Sequence, residues 1–383
     1  MRQRGAAKAW EWEDGNGVNR GVTQRESRND APRIKNPCAC LKRCWRTFNG
    51  CDTIVYVEHQ NSLAQIYAPI GAVISETRDV VVAVWQDTLA LASAADGTDN
   101  RQQAEGKLLR PALCLLAAGA SGAHDLSRYT RLAAAYELMH IASLTHDDVV
   151  DHASLRRGQD SLNVLWNNHA AILGGDYLVA RALELLCEYD SGPLVAAALR
   201  AMRRMAEGEL RYFGQDPAQA DEDACVALAD SKTASLFAAA CSAPLLLTMP
   251  DSAKTFHDFG IALGIAFQLM DDLLDITQPA DTLGKPACGD VTEGKHTLPL
   301  YLLRHAMTAA EQNKLDAMRN QTLSHEEQCW VRESVRRLNV DKATLARAEQ
   351  YIGQALEALT PFPDSPFKAS MLALARFVLV RQA

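Results

Sequence analysis

The segment HDDVVDHASLRRG, His146 to Gly158, sets Asp147, Asp148 and Asp151 just ahead of Arg156 and Arg157. A second segment, FQLMDDLLD from Phe267 to Asp275, repeats the spacing with Asp271, Asp272 and Asp275. On a helix, residues four apart share a face, so Asp147 pairs with Asp151 and Asp271 with Asp275. His140 and Ser143 continue the first face. One such cluster can be a solvated acidic surface. Here, however, ELMHIASLT precedes one motif and IALGIAFQLM the other. Carboxylates at the end of an apolar stripe are costly unless something compensates them. Two clusters facing each other would repel by several kcal/mol, the order for unit charges ~4–6 Å apart in a partly buried site. A hard divalent cation relieves that repulsion. An all-oxygen ligand set favours Mg²⁺, which keeps waters and binds through carboxylates plus a phosphorylated substrate.

Cations follow each acidic cluster. Arg156 and Arg157 come directly after the first, and Lys285 and Lys295 in LGKPACGDVTEGKHTLP come after the second. GKLLRP supplies Lys107 and Arg110, and DSKTASLF supplies Lys232 and Thr233. Any one of these lysines could equally serve solubility. Arginines beside the motif suit forked contacts to phosphate oxygens. Together the pattern fits a diphosphate held between Mg²⁺ and Lys/Arg.

These residues need helices to carry them. From about residue 61 the chain reads as helix after helix, with apolar positions at helical spacing and Gly and Pro gathered between segments. RYTRLAAAYELMHIASLTHDDVVDHAS is a long run without Gly or Pro. No sustained alternation of period two marks strands. At 48% hydrophobic the chain can bury a large core, built mainly from Ala and Leu. No apolar run of 18 residues is free of charge, so no membrane-spanning helix is expected. Ten scattered cysteines fit a reducing compartment, which places the protein in the cytoplasm. Residues 1–60 differ: they are polar, lack periodicity and carry a net charge of +4, against -12 for the remainder. They read as a disordered extension. Cys38, Cys40, Cys44 and Cys51 cluster there in a spacing that matches no strong zinc pattern. The acidic body argues against nucleic acid as a partner.

In order, GKLLRP, HDDVVDHASLRRG, KTASLF, GIAFQLMDDLLD and GKPACGDVTEGKHTLP resemble the signature segments of the trans-isoprenyl diphosphate synthases, the polyprenyl synthetases. The resemblance covers residues 61–383, the expected catalytic domain. It implies an all-α bundle of antiparallel helices around a central cavity, with the two aspartate motifs facing across its mouth. It implies Mg²⁺ ligands at Asp147, Asp151 and Asp271, supported by Asp148, Asp272 and Asp275. It places an allylic diphosphate on Arg156, Lys232, Thr233, Gln268 and Lys285. Isopentenyl diphosphate falls to Lys107, Arg110, His140 and Arg157.

The implied reaction is head-to-tail condensation. The allylic diphosphate departs, and the isopentenyl double bond attacks the cation left in a dry cavity. Chain length in this family is set below the first motif. Here Met139, Ala142 and Ser143 leave the cavity open, resembling hepta- to nonaprenyl synthases whose products become quinone side chains. A geranylgeranyl or farnesyl product is the alternative. A terpene cyclase or head-to-head enzyme fits less well, because GKLLRP and LRRG point to an isopentenyl site; a non-catalytic helical partner subunit would have degenerate motifs. The resemblance also implies a homodimer, or a heteromer with a small subunit, and peripheral membrane contact for product release. Leu108 stands where a basic residue is common in the family, and His152 where an acidic one is frequent; neither replaces an expected ligand.

Overall fold

The computed structural model describes residues 46–48, 51–53, 62–92, 106–153, 155–156, 159–213, 216, 219, 221–283 and 286–381. The chain divides into two units, Met1–His59 and Gln60–Ala383. In the first, β1 (Arg46–Phe48) and β2 (Cys51–Thr53) pair antiparallel with Thr47 opposite Asp52. The rest of residues 1–60, the expected disordered extension with most of its cysteine cluster, lies outside the described residues.

The second unit is helical, as the periodicity predicts. Its main elements are α1 (Gly71–Ala92), α2 (Leu109–Ala120), α3 (Thr130–Val150), α4 (Asn168–Cys187), α5 (Gly192–Tyr212), α6 (Glu222–Ala229), α7 (Ser235–Thr248) and α8 (Ala253–Thr277). Four further helices follow: α9 (Gly289–Glu293), α10 (Leu298–Ala306), α11 (Ala309–Asp316) and α12 (His325–Arg337). Two longer ones, α13 (Val340–Ala358) and α14 (Pro366–Val380), close the bundle. The only strands here among the described residues are β3 (Leu155–Arg156) and β4 (Gln159–Asp160), an antiparallel pair just after the first motif.

Helices α3 and α8 carry the motifs, and both are central. Between Thr130 and Ala142, α3 is buried on almost every side, as a helix hydrophobic all round must be. It packs along α4, while α8 lies against α7 and α13. Small residues let α8 approach α7 closely. A β-carbon at Gly260 would lie 2.5 Å from the Ala238 Cα, and one at Gly264 would lie 2.4 Å from the Ala234 Cα.

Helices α6 and α7 form one continuous run interrupted by a π-helical turn over Asp230–Ala234. Such turns hold one extra residue and are frequent at functional sites. Hydroxyls take up the carbonyls around it: Ser231 donates to Ala227 at 2.7 Å and Ser235 to Ser231 at 2.6 Å. The run Glu222–Thr248 is long and apolar enough to cross a bilayer, but 61% of its apolar window is buried inside the bundle. It also carries Lys232 and is therefore read as a core helix.

Two glycines give opposite expectations. Gly353, in the interior of α13, is exposed with nothing near its missing β-carbon. Gly353→Ala should stabilise the protein by about 0.5–1 kcal/mol through helix propensity. Gly264→Ala should destabilise it by about 1–3 kcal/mol, because backbone must move apart. Urea unfolding of both variants checks the pair.

Candidate active site

The first motif closes α3. Asp147 lies in the last turn, and Asp151 is the C-cap, its N–H donating to the Asp147 carbonyl at 2.8 Å. His152 follows in the left-handed region at φ 52° and turns the chain away. Both motifs were expected inside helices; the first instead straddles a helix end. Cross-links behind it fix that end. Asn163 donates to the Asp148 carbonyl at 3.3 Å and to the Ala153 carbonyl at 3.0 Å, and Ser161 donates to Ala153 at 2.6 Å. Asp148 itself turns inward and is buried. Beside the motif, Gly175 on α4 makes room for the His146 ring, whose Nε2 lies 3.1 Å from the Ile172 carbonyl oxygen.

The second motif lies wholly within α8. Thr233 donates to Gln268 Oε1 at 2.5 Å, and Gln268 Nε2 donates to Asp272 Oδ1 at 2.6 Å. This relay joins the π-turn to the motif. Asp275 is buried at the start of α9. Its carboxylate accepts the Asp290 N–H at 3.0 Å and its carbonyl the Cys288 N–H at 2.9 Å. It anchors the start of α9 to α8, a supporting role.

Two lysines bridge the carboxylates. Lys232, on the π-turn, pairs with Glu209 of α5 and lies 3.8 Å from Asp147. Lys295, after α9, reaches Asp151 at 3.2 Å, Glu293 at 2.6 Å and Asp290 at 4.0 Å. It therefore ties the segment following the second motif to the first motif.

Electrostatics follow from this crowding. Burial pushes Asp147 above the usual carboxylate range, and Lys232 opposes that while Glu209 and Asp151 add to it. Burial would depress Lys232, but Asp147 and Glu209 outweigh it and hold the ammonium firmly protonated. Lys295 is likewise raised, by Asp290, Asp151 and Glu293 against burial. Asp272 is pushed up to about 7 by burial, against the Gln268 hydrogen bond and with Asp271 and Asp275 adding to the rise.

The donor set fits a hard divalent cation. Side chains of Asp147, Asp151 and Asp271 are 29%, 27% and 48% exposed, whereas Asp148, Asp272 and Asp275 are buried. The three accessible carboxylates are the three expected ligands. Among the described residues, no three acidic, His or Cys side chains converge as a ready-made metal cage. That suits an ion that keeps waters and shares its shell with a phosphorylated substrate.

The matching family model is that of the polyprenyl synthetases, over residues 95–335. This chain belongs to the polyprenyl synthetase family. It is 37% identical over 281 residues to the all-trans-nonaprenyl-diphosphate synthase (geranyl-diphosphate specific) of Rhodobacter capsulatus, covering 73% of this chain and 86% of that protein. It is 31% identical to heptaprenyl diphosphate synthase component 2 of Bacillus subtilis, covering 72% and 79% respectively. A crystal structure of a polyprenyl synthase from Caulobacter crescentus, complexed with calcium and isoprenyl diphosphate, superposes with a TM-score of 0.76 at 31% identity. That match covers 85% of this chain and all of the other.

Other expected residues of this polyprenyl synthetase take varied places. Arg110 is buried, its guanidinium 4.7 Å from the Phe237 ring centre. Lys107 is exposed, its carbonyl accepting the Tyr67 hydroxyl at 2.8 Å. His140 is half-buried and its carbonyl accepts Ser143 Oγ at 2.8 Å. Met139 and Ala142 lie in the core, and Ser143 is half-buried. Arg157, Lys285 and the Arg156 side chain lie outside the described residues. Sequence reasoning missed Glu209, which looks like any charge on an amphipathic helix. It noted Lys295 as a cation without a partner. A small pocket of about 40 Å³ opens beside Lys295, lined also by His296, Tyr301, Arg304 and Arg319. Its arginines are already paired with Asp316, at 2.5 and 2.9 Å.

Two outcomes are expected. Asp272 binds its proton more tightly folded than unfolded, so its cost to the native state is absent near pH 4, builds as pH rises and is complete above about 7. Without divalent ions, Asp272→Asn should be more stable than the parent by roughly 1–3 kcal/mol at pH 8, the difference vanishing near pH 4. Urea midpoints against pH read this. Lys295→Ala should leave Asp151, Asp290 and Glu293 mutually repelling and lower kcat/KM about tenfold or more. Steady-state kinetics on the folded variant read that loss.

Proposed function

We propose that this polyprenyl synthetase condenses isopentenyl diphosphate head to tail onto an allylic diphosphate and makes a long, linear, all-trans product. The observation that carries the reading is the Lys295–Asp151 pair, which ties the chain after the second aspartate motif to the first. With Asp147, Asp151 and Asp271 as ligands, bound Mg²⁺ would supply Lewis-acid charge to the departing diphosphate. Lys232 stands next to Asp147 and would donate to diphosphate oxygens as negative charge grows there. Thr233 and Gln268 hold each other and Asp272 in place, so the donors need no reorganisation when the bond breaks. Arg110, fixed over Phe237, would hold the second diphosphate and bring the isopentenyl double bond into register. The buried apolar lengths of α3 and α8 would keep water from the allylic cation.

We read the active form as a homodimer in the cytoplasm that touches a membrane when it delivers product. The word component in the name of the heptaprenyl relative makes a second subunit the alternative. Quinone side-chain synthesis is the class of pathway that would use a long product.

Product analysis tests the reading. The purified chain, Mg²⁺, labelled isopentenyl diphosphate and farnesyl diphosphate should give a ladder of products ending at seven or more isoprene units. Ser143→Phe should shorten that end point while elongation continues, because a ring one turn below Asp147 would block the open path. A parent enzyme that stops at four units would refute the long-chain reading. No elongation by the purified chain would refute the homodimer.

A further inference from the structure

Arg381 follows α14 and is 110 residues from the motif it touches. Its side chain is only 5% exposed. The guanidinium lies 3.8 Å from the Phe267 ring centre and donates to the Phe267 carbonyl at 3.0 Å. It also donates to Asp271 Oδ1 at 3.0 Å. Phe267 in turn meets Phe237 at 5.2 Å, and Arg110 sits 4.7 Å from Phe237. Two guanidiniums thus bracket an aromatic pair, and one of them ends on a carboxylate. A cation so placed is held by the fold and is not a loosely solvated surface charge.

The geometry points to Arg381 as a positioning residue that sets the orientation and charge of Asp271, and through it the affinity of the second motif for a divalent cation. This rests on the reading of Asp271 as a metal ligand. One N–H of Arg381 takes Oδ1, which leaves the other oxygen of a half-exposed carboxylate for an ion. The same guanidinium offsets one negative charge of a motif that carries three aspartates. It relieves repulsion in the metal-free protein, and it opposes an incoming dication. Repulsion between a guanidinium and a dication on one carboxylate outweighs the freedom that a single short side chain gains when Arg381 is removed. Arg381 therefore keeps metal binding weak until a diphosphate arrives to share the ion.

Binding of Mn²⁺ to the full chain without substrate tests this, with free Mn²⁺ followed by electron paramagnetic resonance. Arg381→Ala should bind the second-motif ion about three- to thirtyfold more tightly than the parent. Arg381→Lys, which keeps the charge, should stay within about threefold of it. Asp271→Ala should lose an ion. If Arg381→Ala binds equally or more weakly while Asp271→Ala loses an ion, Arg381 is a packing residue and the proposal fails. If Asp271→Ala loses no ion, the ligand reading fails and takes the proposal with it. Circular dichroism establishes folding. If Arg381→Ala unfolds, Arg381→Gln removes the charge at a smaller loss of volume and should show the same tightening.

Discussion

Repulsion among carboxylates is the constraint from which the rest of this molecule follows. Six motif aspartates, with Glu209, Asp290 and Glu293 beside them, are drawn to one region by helices whose other faces are apolar. No fold would gather them without compensation. The protein answers in three ways. It buries Asp272 against an amide and raises its affinity for a proton. It buries Asp275 against the start of α9. It gives each accessible aspartate one internal cation: Lys232 for Asp147, Lys295 for Asp151 and Arg381 for Asp271. The exposed carboxylates are thus the ones already neutralised, and by groups that a metal and a diphosphate can exchange for their own charges.

Packing makes the arrangement stiff. Glycine and alanine bring α8 onto α7 close enough that the Thr233–Gln268–Asp272 relay can form. Glycines also admit His146 beside α4 and Ser231 beside α5. The small residues therefore act at the site although none of them touches it.

Much of this was legible in the sequence, and the reasons differ by residue. The all-α class and the two motif helices follow from periodicity and from the lack of Gly and Pro in α3. The two aspartate clusters stand out because acidic residues at the end of apolar runs are expensive, and the family resemblance is what singles out Asp147, Asp151 and Asp271 within them. The end of α3 before Asp151 was not legible: it depends on Asn163 and Ser161, which look like ordinary loop residues. Glu209 and Arg381 were invisible because their partners lie far along the chain and their local surroundings carry no signal. Lys295 could be seen as a charge, but not as the tie to Asp151 144 residues away.

The π-turn gives Lys232 and Thr233 an unusual genetic exposure. Loss of any one residue within Asp230–Ala234 would let the run return to ordinary α-helical winding, with α6 and α7 still continuous. The remaining turn would then rotate by about 100° relative to one flank, the angle that one residue contributes. The cation and the hydroxyl would leave their partners while the apolar flanks could still pack. A single in-frame codon deletion there would uncouple folding from chemistry, and would turn a catalytic chain into a helical scaffold in one mutational step.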